Sequence, residues 1–184
     1  MIGVHFKPGG LAPFLAIPIS ELNNQVVELD SILGQAALEL RDALLEAASP
    51  KAKFGILEAF LMDRLIPKDN AVTVYALRQI MQSPSALRVR EIAQALGVSQ
   101  KHFISRFRAQ VGLSPKRFCR IRRFQAILDT IAREALVDWA DVACACGYYD
   151  QAHFIHDFRA FSGFSPSEYM SSRREYPNHV PLDG

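Results

Sequence analysis

From Asp30 onward, apolar residues recur at helical spacing in one segment after another, and Gly, Pro or a capping residue cuts each segment from the next. Ile32, Leu33, Ala36, Ala37, Leu40, Ala43, Leu44 and Ala47 predict a helix over 30–48 that stops before Ser49-Pro50. Phe54, Leu57, Phe60, Leu61 and Leu65 predict a second helix over 50–65, which ends before Pro67. Val72, Val74, Tyr75, Leu77, Ile80 and Met81 predict a third over 70–82, and Ser83-Pro84-Ser85-Ala86 reads as a linker.

Beyond the linker the same pattern is written twice. Val89, Ile92, Ala93 and Leu96 lead to Gly97, and Val137, Val142, Ala143 and Cys146 lead to Gly147. Glycine at that place suits the left-handed turn that closes a helix. Ser99 in one copy and Asp150 in the other are placed to cap a second helix, whose apolar residues fall four apart at Phe103/Phe107 and Phe154/Phe158. Each copy then reads Gly-x-Ser-Pro, Gly112 to Pro115 and Gly163 to Pro166, a helix stop followed by a helix start. The copies align without gaps from His102/His153 to Phe118/Tyr169. A repeated helix-turn-helix follows.

Residues 115–133 predict a long connecting helix with Phe118, Ile121, Phe124, Ile127, Leu128 and Ile131 on one side. Ahead of all this, Gly3 to Gly10 reads as a short strand entering a turn, and Ala12 to Pro18 as an apolar loop or strand. The expected fold is mainly all-α: a short strand/loop remnant (1–27), a small helical subdomain (28–82), and a double helix-turn-helix domain (83–176). That domain holds a first unit at 87–114, the connecting helix at 115–133, a second unit at 137–174, and a loose tail follows at 177–184.

Composition changes this picture little, but charge changes it a great deal. The 184 residues are 49% hydrophobic and 22% charged, ordinary for a globular protein, with no apolar run long enough for a membrane span and no signal-peptide layout at the start. Three cysteines leave one unpaired in any disulfide scheme, so a cytoplasmic location is expected. The net charge of +2 conceals eleven Lys/Arg against two acids over 88–133, and three Arg against seven acids over 134–176. A charge run is ordinarily a solvated face, but one attached to a helix-turn-helix points to nucleic acid.

Residues near the start of each second helix, away from its Phe pair, are the candidates for base contact: Gln100, Lys101, Ile104 and Ser105, then Gln151, Ala152, Ile155 and His156. Gln reads adenine edges, Lys reads guanine, and Ile can meet a thymine methyl. Arg106, Arg108, Lys116, Arg117, Arg120, Arg122, Arg123 and Arg159 are the candidates for phosphate contact, about half of them expected to reach the backbone. His102 and His153 are expected to be structural. No metal or cofactor is expected, since Cys144 and Cys146 lie two apart on a helix and diverge.

At these residues the chain resembles the AraC/XylS family of bacterial transcription regulators. The likeness covers Leu87 to Ser172, most specifically Gly147-Tyr148-Tyr149-Asp150-Gln151-Ala152-His153-Phe154, Phe158 and Gly163 to Tyr169. It implies two helix-turn-helix subdomains on one long helix, binding double-stranded DNA, with base-contacting sites at Lys101, Ile104, Ser105, Gln151, Ala152 and His156. Ile104 and Ala152 depart from the hydrogen-bonding types expected there, and Arg88 stands where Ser or Thr would cap a helix. Phe6 to Phe14 resembles the end of a β-rich sensor domain; with most of that domain missing, no small-molecule effector is expected. An activator of this family would also meet RNA polymerase.

Two other functions compete. Residues 28–82 could form a homodimer or dock on a partner, with mainly non-specific DNA binding. An enzyme of the DNA-repair methyl-acceptor kind needs an activated thiolate, and the cysteines here lie on predicted helix faces without a catalytic domain, so no catalytic residue is expected.

Overall fold

The computed structural model describes residues 2–82, 89–132 and 137–172; the Ser83–Ala86 linker, Arg88, Arg133 and the tail lie outside them. The described residues form ten α-helices: α1 Leu29–Leu33, α2 Gln35–Glu46, α3 Pro50–Asp63, α4 Ala71–Gln82, α5 Val89–Ala95, α6 Gln100–Val111, α7 Pro115–Ile131, α8 Trp139–Ala145, α9 Gln151–Ser162 and α10 Pro166–Ser172. Contacts gather the chain into two units, residues 1–74 with 101–114, and residues 75–100 with 115–184. Helix α6 thus belongs with the N-terminal residues.

Two expectations are corrected in the first unit. No strand forms among the described residues; the N-terminal segment carries only short 3-10 turns at Ala12–Phe14 and Ile19–Leu22. Prolines at 8, 13 and 18 remove ladder donors, and no second strand is available to pair. The segment bonds locally instead, Gly10 N–H to Lys7 O at 2.8 Å and Phe14 N–H to Leu11 O at 3.0 Å. The helix over 30–48 is in fact two, broken at Gly34 with φ 60° and ψ −140°. Its apolar stripe runs across the break, which hid it. Ser49 caps α3 by accepting from the Ala52 N–H at 3.2 Å, with Pro50 in the first turn.

Within the same unit, Phe103 and Phe107 of α6 are wholly buried, their rings edge-to-face at 5.9 Å. Gly112 ends α6 at φ +91°, and a side chain there would meet the Ile19 Cγ2 at 3.2 Å.

The second unit closes around α7. Phe124, Ile127, Leu128 and Ile131 of that helix pack with Val142 and Ala143 of α8, Tyr148 of the turn that follows it, Phe154 and Phe158 of α9, and Tyr169 of α10. Phe158 is the hub, with ring centroids 5.2 Å from Phe124, 5.5 Å from Tyr169, 5.8 Å from Phe154 and 6.2 Å from Trp139.

Helix ends in this unit repeat the sequence's symmetry atom by atom. Val98 N–H reaches Ala93 O at 3.0 Å and Gly97 N–H reaches Gln94 O at 3.0 Å; Tyr148 to Ala143 and Gly147 to Cys144 repeat both bonds at 2.9 Å. These are Schellman closures, with both glycines at positive φ. Asp150 caps α9 through the His153 N–H at 2.7 Å. Ser165 and Glu168 form a reciprocal capping box at the start of α10. Helix α8 starts after Asp138, a cap not anticipated, so Val137 packs on the core from outside the helix.

Phe158→Ala should cost about 3–5 kcal/mol. Urea unfolding followed by the fluorescence of Trp139, the only tryptophan and a ring neighbour of Phe158, measures it directly.

Candidate nucleic-acid interface

Each recognition candidate begins immediately after its closing turn, and the buried Phe pair fixes which way the helix faces. On α6, Gln100, Lys101, Ile104, Ser105 and Arg108 are all exposed, spaced as one helix face. On α9, Gln151, Ala152, His156 and Arg159 are exposed in the corresponding positions. Ile155 differs: it is half-buried and packs against the core, which leaves it less to offer a base.

The basic candidates divide. Lys116, Arg117, Arg108 and Arg159 are exposed. Arg122 donates to the Gln125 side chain on its own helix at 2.6 Å. Arg106 is paired with Asp69, Nη2 to Oδ2 at 2.8 Å. Arg120 donates twice to Asp157 Oδ1, at 2.7 Å from Nη2 and 3.1 Å from Nε, while its guanidinium lies 5.3 Å from the Phe161 ring. Arg123 lies 3.8 Å from Asp157 Oδ2 and 4.8 Å from the Tyr148 ring centre.

Asp157 is the residue that sequence reasoning passed over. Its side chain is 3% exposed. The signal was present, because Asp157 falls on the stripe of Phe154, Phe158 and Phe161, and an acid there must find a cation. Burial alone would raise its carboxyl, but the hydrogen bond and charge of Arg120, then His153 and Arg123, hold it below the ordinary value. His153 Nε2 lies 3.8 Å from Asp157, and its ring is edge-on to Tyr148 at 5.2 Å, a structural placement. Burial also pushes the Tyr148 hydroxyl up to about 12, with the Asp157 charge adding to it.

By the gapless register, the counterpart of Asp157 in α6 is Arg106. The two copies therefore tie down equivalent positions with opposite charges.

Two of the three thiols, Cys119 and Cys146, are held in the protonated form by burial. Burial raises Cys119 to about 11, against a lowering by Arg123, and raises Cys146 as well. Among the described residues no three His, Cys, Asp or Glu gather as a metal would need, and no helix is long and apolar enough to cross a membrane.

Residues 92–172 match the helix-turn-helix domain family. The chain carries an AraC-type helix-turn-helix DNA-binding domain. Ahead of this AraC-type domain, residues 1–28 match a domain of unknown function, DUF6597. The chain is 30% identical over 98 residues to an uncharacterized HTH-type transcriptional regulator of Haemophilus influenzae, covering 53% of this chain and 33% of that protein. It is 24% identical over 173 residues to the probable transcriptional regulator LumQ of Photobacterium leiognathi, covering 87% and 68%. To the Msm operon regulatory protein of Streptococcus mutans it is 24% identical over 167 residues, covering 87% and 58%. The crystal structure of a DNA-binding transcriptional dual regulator from Escherichia coli K-12 covers 55% of the chain and 97% of its own length, at 23% identity and a TM-score of 0.47.

The Arg120–Asp157 pair carries an asymmetric prediction. Arg120→Ala leaves a buried carboxylate and should cost about 3 kcal/mol, whereas Asp157→Asn should cost less, because Arg120 can turn to water. The pair also sets a pH dependence. The folded carboxyl is lowered, so its stability is fully present above the unfolded value of about 4 and is lost as pH falls through the folded value. Urea midpoints across that acid range should therefore fall more steeply for the wild type than for Asp157→Asn.

Proposed function

We propose that the protein is a sequence-specific transcription regulator that inserts α6 and α9 into successive major grooves of double-stranded DNA. One observation carries this reading: each copy frees the same helix face, at the same distance from the same closing turn, by burying a Phe pair on the other side. Lys101, Ser105, Gln151 and His156 supply hydrogen bonds to base edges, and Gln100 and Ile104 flank them. Lys116, Arg117, Arg108 and Arg159 supply phosphate contacts; Arg120 and Arg123 serve the core.

The 17 residues of α7 span about 26 Å at 1.5 Å each. Successive grooves on one face of DNA are about 34 Å apart, a span of the same order as that helix. The relatives are regulators by name, which supports control of transcription as the purpose, with RNA polymerase as a partner if the protein activates.

A second reading has its own observation. Helix α3 buries none of its fourteen residues fully and exposes Phe54 and Met62, the pattern of a surface that pairs with a second copy or another protein. A sedimentation coefficient independent of concentration would remove the homodimer through residues 28–82.

Selection of bound sequences from a random duplex pool, followed by footprinting, tests the main reading. An asymmetric site with two protected patches about one turn apart is expected; strong salt-sensitive binding without enrichment would leave only a non-specific binder. On the selected site, Gln151→Ala should weaken binding by about 1–3 kcal/mol and spare random DNA. Lys116→Ala should weaken both alike and reduce the salt slope by about one.

A further inference from the structure

The two closing turns differ by one residue. In the first copy Val98 and Ser99 separate Gly97 from Gln100, where α6 begins; in the second, Tyr148, Tyr149 and Asp150 separate Gly147 from Gln151, where α9 begins. Val98 and Tyr148 hold the same place, each donating its N–H to the helix behind it, to Ala93 O and Ala143 O. Ser99 and Asp150 hold the other, immediately before the reading helix. Tyr149 is the residue without a counterpart.

Its side chain is 96% exposed, with no hydrogen-bond or ring partner among the described residues. The backbone beneath it is nevertheless pinned on both sides. Tyr148 is buried, its ring edge-on to His153 at 5.2 Å and to Phe154 at 5.6 Å. Asp150 Oδ1 accepts from the His153 N–H at 2.7 Å, and Asp150 O from the Phe154 N–H at 3.2 Å. An exposed phenol on so fixed a mount loses little freedom when it meets a partner.

Position and charge together name that partner. In a helix-turn-helix the first helix crosses the sugar-phosphate backbone and the second enters the groove, so the turn between them passes the strand that walls the groove. A major groove about 12 Å wide is nearly filled by a helix about 10–12 Å across, which leaves the residue just ahead of α9 against that wall. Residues 134–176 hold three Arg against seven acids, and Arg159 is the single Lys or Arg of α9. This half has little cationic charge to offer phosphates, and a neutral donor with an apolar ring suits it.

We propose that Tyr149 fastens the second reading helix to the DNA backbone: its ring lies on a deoxyribose and its hydroxyl donates to a phosphate oxygen. The inference rests on the reading of α9 as a helix that enters the major groove.

The test is binding of the full chain, at several salt concentrations, to the selected duplex and to a mixed-sequence duplex of the same length. The forms compared are the wild type, Tyr149→Phe, Tyr149→Ala and Gln151→Ala. Tyr149→Phe should weaken binding to both duplexes by about three- to tenfold through the lost hydrogen bond, and Tyr149→Ala by more. The salt slope should stay as it is, because a phenol releases no counterion, and this separates Tyr149 from Lys116. Thermal midpoints should not move, since no other side chain leans on the ring. Wild-type binding by Tyr149→Ala, beside a Gln151→Ala that weakens the selected site, overturns the inference alone. So does an effect confined to the selected duplex, which would make Tyr149 a base reader, or a Tyr149→Phe that binds like the wild type. Silence of both Gln151→Ala and Tyr149→Ala overturns the groove reading of α9 and this inference with it.

Discussion

Phe158 has aromatic neighbours on four sides, and this crowding decides what α9 can do. A ring held by Phe124, Trp139, Phe154 and Tyr169 cannot rotate out of its place without opening the unit, so the helix has one orientation about its axis. Asp157 is carried into the interior beside it, which is why Arg120 must follow. The face bearing Gln151, Ala152, His156 and Arg159 is then left to solvent. What the helix offers to a partner is thus defined by what its core has taken. The Phe103/Phe107 pair imposes the same division on α6.

The basic stretch also has an internal cost. Of its eleven cations, Arg106, Arg120 and Arg123 face carboxylates of the chain itself. A charge count treats every Lys and Arg as available, whereas a guanidinium held by a buried acid is part of the scaffold. The attraction for a polyanion is therefore smaller than +9 implies and is concentrated at fewer side chains.

The features legible in the sequence were those written locally. The repeat, the Phe pairs, the capping by Asp150 and the glycine closures at 97 and 147 each depend on residues within a turn or two, and short-range patterns record them. The features that were not legible depend on distant partners or on a backbone angle. Gly34 breaks a helix whose apolar stripe continues regardless. The carboxylate of Asp157 is answered by Arg120, 37 positions away, and Asp69 by Arg106, at the same separation. An N-terminal strand was expected from the run of residues entering the turn at Gly9-Gly10, but a strand needs a neighbour, and the described residues supply none. On the candidate interface, spacing identified the exposed face well. Ile155 was the exception, since its half-burial follows from how closely the second core fills.

The opposite charges at positions 106 and 157 mean that the two halves have ceased to be interchangeable. Copying the α9 segment over α6 would set an acid against Asp69, and the reverse exchange would bring a third guanidinium to Arg120 and Arg123. Either exchange removes an attraction and adds a repulsion, at a buried position in α9 and at a partly exposed one in α6. A duplicated chain normally keeps open the chance that one copy overwrites the other. Here that exchange carries a penalty, and each half can change its exposed helix face without being reset by its twin.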